Sequence, residues 1–86
     1  MPRPITFEPR AARAAAALPS AERAELAAVL DRVAAAGDPF TVLDPYIPDP
    51  SGPLPFHGAA YFGADRIAVV SLYVDHLRVI SVRRNT

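Results

Sequence analysis

The residues of this chain able to bind or move charge are led by its arginines. Nine of them, with no lysine, balance nine acidic residues over 86 positions. The guanidinium stays charged at all relevant pH and presents a rigid fork of donors that fits phosphate or carboxylate. Arg66 opens the run "RIAVVSLYV", and Arg83 with Arg84 closes "LRVISVRRNT". The chain has no cysteine, so it offers no thiolate nucleophile, no disulfide and no thiolate metal site. Its two histidines, His57 and His76, come without a clustered carboxylate or thiol, and no metal site or cofactor is expected.

The elements that must position these groups are readable along the chain. "PITFEP" carries β-branched and aromatic residues between prolines and predicts a short strand at a sheet edge, where a missing N–H is tolerated. Pro9 suits the first turn of a helix through "RAARAAAAL", ending before Pro19. Ser20 is the expected N-cap of a second helix, with Glu22 and Glu25 near its positive end. Leu26, Val29, Leu30 and Val33 recur at helical spacing and form its apolar stripe. Gly37 and then Pro39 are expected to stop it.

Asp38 to Pro55 holds six prolines in eighteen residues and reads as an irregular spacer, with an extended piece at Thr41 to Leu43. Three strands then follow, "FHGAAYF", "RIAVVSLYV" and "LRVISVRR", separated by "GAD" and "DH". The order β-α-α-β-β-β predicts an α+β fold with a helical hairpin packed on one face of a small antiparallel sheet.

A two-residue turn at Asp75 and His76 would set Leu72 opposite Val79, Val70 opposite Ser81 and Ala68 opposite Arg83. Arg66 would then join Arg83 on one face, and a β-bulge would exchange Arg83 for Arg84. Two like charges held together are either solvated or meet an anion.

Composition narrows the classes. A chain of this length makes one domain, 1–86, and 51% hydrophobic residues with 21% charged set it apart from disordered chains. The balanced charge excludes whole-molecule attraction to nucleic acid and leaves room only for a local patch. No stretch approaches the ~20 apolar residues of a membrane span, and the start lacks a signal-peptide run, so a cytoplasmic protein with no membrane partner is expected.

The element order and the ending "DRIAVVSLYVDHLRVISVRRN" resemble the RelE/ParE superfamily, the toxins of bacterial type II toxin–antitoxin modules. "ALPSAERAELAAVLDRVAA" is similar to the family's second helix. The resemblance implies a toxin that cleaves mRNA on the ribosome without a metal and inhibits translation, held in check by a cognate antitoxin. It implies that Arg66 positions RNA phosphate and that Arg83, or Arg84 if the register slips, stabilises charge at the scissile phosphate. Such chemistry also needs an acid and a base. His57, Tyr61, Tyr73 and His76 are available, with His57 and Tyr61 on the strand where relatives present basic residues. Arg84 and Arg78 are the further RNA contacts expected on the last strand.

One departure keeps alternatives open. RNA-cleaving members carry lysines on the middle strand, whereas "GAAYF" has none. A ParE-like inhibitor of DNA gyrase without nuclease chemistry, or a non-toxic protein-binding module of the same fold, fits that absence. Each of the three readings predicts a protein partner on the sheet edge or apolar grooves.

Overall fold

The computed structural model describes residues 2–46 and 56–85. Strand β1 (Ile5–Phe7) leads into helices α1 (Pro9–Ala16) and α2 (Ser20–Ala35). A 3-10 turn at Pro39–Thr41 and a two-residue strand β2 (Asp44–Pro45) come next, followed by β3 (Phe56–Phe62), β4 (Arg66–Leu72) and β5 (Leu77–Arg84). The five strands form one sheet in the order β1-β5-β4-β3-β2. Residues 47–55 of the proline-rich spacer lie outside the described residues.

The α+β architecture and the bounds of β3 and β5 agree with the sequence reading. The sheet is mixed, however, because β1 pairs with β5 in parallel, Ile5 beside Leu77 and Phe7 beside Val79. The two strands are separated by nearly the whole chain, so no hairpin turn forces them antiparallel. As the prolines suggested, β1 is an edge strand. It is held by Leu77 N donating to Pro4 O at 2.9 Å and Glu8 N donating to Val79 O at 3.0 Å.

The apolar stripe of α2 faces the sheet: Leu26, Val29, Leu30 and Val33 are all buried, joined by Ala11 of α1 and Leu18. They pack on Ala60, Phe62, Ala68, Val70, Leu77, Val79 and Val82, the inward residues of β3, β4 and β5. Each Leu, Val or Phe side chain among them removed from water contributes roughly 1.5–3 kcal/mol.

The caps differ from expectation. Ser20 is the first helical residue of α2 behind Pro19, with no side-chain cap. The helix ends on extended Ala36, and the left-handed glycine is Gly63 in the β3–β4 turn, at φ 62°.

The terminal hairpin corrects the expected register. Its loop spans four residues, closed by Tyr73 N donating to His76 O at 3.0 Å, so Leu72 meets Leu77 and Val70 meets Val79. A register shift between Val69 and Val70 leaves Ile80 as an extra residue. Beyond it Val69 faces Ser81, Ala68 faces Val82, Ile67 faces Arg83 and Arg66 faces Arg84. Arg66 and Arg83 are therefore on opposite faces. The bulge has a hydrophobic cause: regular alternation from Val79 would turn Ser81 and Arg83 into the core, whereas the extra residue buries Val82 and turns Arg83 outward.

Candidate functional site

Cross-strand register assigns each candidate to a face. His57 pairs with Ser71 and Ser71 with Arg78; Tyr61 pairs with Ile67 and Ile67 with Arg83. These form two rows across β3, β4 and β5 on the face away from the helices. In each row the outer Cα atoms are roughly 10 Å apart, two inter-strand spacings. His57 and Tyr61 are four residues apart on β3, roughly 13 Å. Tyr61 is thus the acid–base candidate that shares a row with Arg83, while His57 keeps company with Arg78.

Between the rows the distal face is apolar. Ala59 and Val69 are buried there beside Ile67 of the Arg83 row, and Tyr46 and Ile80 pack on the three. Tyr46 extends β2 by one position, its N–H donating to His57 O at 3.1 Å. Its ring reaches toward β5, where the hydroxyl accepts a hydrogen bond from Arg83 Nη2 at 3.2 Å. Reading the proline-rich spacer as inert missed this residue; the one signal for it was an aromatic with a hydroxyl inside "DPYIP".

The arginines divide by their partners. Arg66 sits on the helix side, its Nε donating to Glu22 Oε2 at 2.7 Å, with both side chains about three-quarters buried. Glu25 Oε2 accepts from Gly63 N at 2.7 Å, so two carboxylates of α2 clamp the β3–β4 turn. Arg84, across from Arg66, is exposed at the end of β5 on that same side. The like charges at positions 66 and 84 are tolerated because Glu22 stands beside the first of them. Arg78 lies on the distal face with its Nη1 4.0 Å from Glu8 Oε1. Arg83 has no carboxylate partner among the described residues.

The remaining candidates separate cleanly. His57 is half-buried, and among the described residues its Nδ1 is shielded from water without a hydrogen-bond partner. Tyr61 is 51% exposed. Tyr73 and His76 stack on each other at a ring-centroid distance of 4.3 Å in the loop at the opposite end of β5 from Arg83. The Asp75 carboxylate accepts from the His76 ring at 2.7 Å, a bond that holds its pKa below the ordinary aspartate value. No cluster of metal-ligating side chains occurs among the described residues.

Two helices pack on one face of a five-stranded mixed sheet whose first strand runs parallel to its last, an α+β fold of the kind seen in RelE. The fold matches a chain in the crystal structure of the archaeal RelE–RelB complex from Pyrococcus horikoshii OT3, with a TM-score of 0.74 over 99% of this chain and 97% of that one. Sequence identity is 16%, so the likeness is one of fold. No family model matches the sequence, and no curated protein matches it significantly.

Proposed function

We propose that this chain is the toxin of a toxin–antitoxin pair and acts as a ribosome-dependent mRNA endonuclease in the cytoplasm. The observation carrying this reading is the row on the distal face that sets Arg83, a cation without a carboxylate partner among the described residues, across β4 from the exposed Tyr61. The supporting context is the RelE-like fold, seen in a complex of RelE with RelB.

The reaction suited to such a face is attack of a ribose 2′-oxygen on the adjacent phosphorus, forming the P–O2′ bond of a cyclic phosphate and breaking the P–O5′ bond. A base takes the 2′ proton and an acid returns one to the departing 5′ oxygen. Arg83 opposes the charge that builds on the phosphoryl oxygens. Of Tyr61 and His57, Tyr61 is the proton carrier that shares the Arg83 row. His57 and Arg78 line the RNA path two rows away, with Arg78 on another phosphate of the same strand. Arg84 extends the basic end of β5. Arg66, bound to Glu22, braces the β3–β4 turn, and its part in the site is to hold β3 and β4 in register.

The test is purified protein added to ribosomes translating a defined mRNA. Cleavage within codons, leaving cyclic-phosphate ends, that requires ribosomes and is lost in Arg83→Ala is expected. Intact mRNA in this assay would contradict it. Unimpeded translation there, together with growth arrest when the chain is expressed in cells, is the outcome expected of a gyrase-binding, ParE-like protein, a reading favoured by the scarcity of unopposed cations on the face.

A further inference from the structure

We infer that Tyr46 is the positioning residue for Arg83, fixing the guanidinium over the distal face so that it meets an anion in one orientation. The inference rests on the reading of Arg83 as the phosphate-binding residue and adds to it a residue from outside the three long strands.

A continuous set of contacts brings Tyr46 there. Gly58 has no side chain where Leu43 packs: a Cβ at position 58 would lie 2.6 Å from Leu43 Cδ1 and 2.8 Å from Leu43 Cβ. Leu43 therefore presses onto β3 and is 2% exposed. That contact seats β2, whose Asp44 and Pro45 pair with Ala59 and Gly58. The next residue, Tyr46, is tied to His57 O by its N–H. A methyl group at Ala59 leaves room on the distal face, and the ring packs over Ala59, Ile67 and Val69. Its hydroxyl ends 3.2 Å from Arg83 Nη2.

The chemistry of the partner is the second part of the argument. Glu22 holds Arg66 by a 2.7 Å hydrogen bond and Glu8 stands 4.0 Å from Arg78, and each carboxylate offsets the charge of the cation it faces. A phenol oxygen accepts the hydrogen bond and carries no charge. Arg83 is thus oriented while its full charge stays available to a ligand. A tyrosine does this at small entropic cost, because the ring is already fixed by packing on the apolar strip.

Tyr46→Phe keeps the ring and removes only the hydroxyl. Two readouts on the full chain test the inference. In nitrogen-15 spectra of the arginine guanidinium groups, the Arg83 Nη signals should show restricted rotation in the wild type and fast rotation in Tyr46→Phe, with Arg66 unchanged. In the ribosome cleavage assay, Tyr46→Phe should lower kcat roughly three- to tenfold, the scale of one lost hydrogen bond. KM and melting temperature should be nearly unchanged, and the substitution should have no further effect in an Arg83→Ala background.

Arg83 signals that are the same in wild type and Tyr46→Phe would overturn the inference, even if cleavage is observed. An equal kinetic effect of Tyr46→Phe with and without Arg83 would overturn it too. A wild-type chain that holds Arg83 through Tyr46 yet cleaves nothing would sustain the positioning role and remove the nuclease reading.

Discussion

Arg66, Arg78 and Arg83 carry the same guanidinium and differ in what stands against it. Glu22 faces Arg66 at 2.7 Å, so removing that arginine leaves a largely buried carboxylate without its partner. Arg66→Ala should lower unfolding stability by about 1–2 kcal/mol, measured by denaturant titration, because a hydrogen bond between charged groups near the surface is worth that much. Cleavage per folded molecule should change little. Asp75 gives a pH prediction. Its folded-state pKa is depressed by the bond to His76, so the matching stability is present above the unfolded value of about 3.9 and is lost as pH falls through the folded value. By carbon-13 titration the Asp75 midpoint should rise toward that of an ordinary aspartate in His76→Ala. An unchanged midpoint would show that the bond does not persist in solution.

Among the elements, those whose side-chain pattern is set by burial were legible in the sequence. The stripe from Leu26 to Val33 gave α2, and the aromatic and β-branched runs gave the bounds of β3 and β5, because apolar periodicity is the same physical quantity as the face a segment buries. Unbroken alternation through "VISVR" sets Arg83 beside Arg66, and the alternative, a β-bulge that exchanges Arg83 for Arg84, is the one the structure has. The sign of the bulge was there: Leu77 and Val79 keep a spacing of two, and the next core residue, Val82, comes three later. Tyr46 was not legible, because its placement depends on Leu43 fitting against Gly58, a contact between distant segments with no local pattern. Gly58→Ala should therefore push Leu43 off β3 and cost roughly 1–3 kcal/mol of stability, as overpacking does. The Arg83 guanidinium signals should loosen in the same variant. A Gly58→Ala protein as stable as wild type would show that the Leu43 contact has slack.

At the scale of the molecule, a net charge of zero limits how strongly the proposed RNA substrate would be held. With Arg83 and Arg78 as the phosphate contacts, log Kobs for single-stranded RNA should fall against log salt with a slope of about −1.4, two contacts at roughly 0.7 each. A slope several times steeper would mean that more of the surface binds RNA than this face. So small a slope implies weak binding off the ribosome, and affinity would have to come from the ribosome as the larger surface.

The division of labour between two arginines that the sequence would pair is best tested by mapping new 5′ ends on cellular mRNA after inducing the wild type, Arg83→Ala and Arg66→Ala, each normalised to folded protein. Cuts within translated codons that vanish in Arg83→Ala and persist in Arg66→Ala are predicted. Cuts that persist without Arg83, or that vanish equally in both variants at equal folded protein, would contradict the assignment of the distal face as the site.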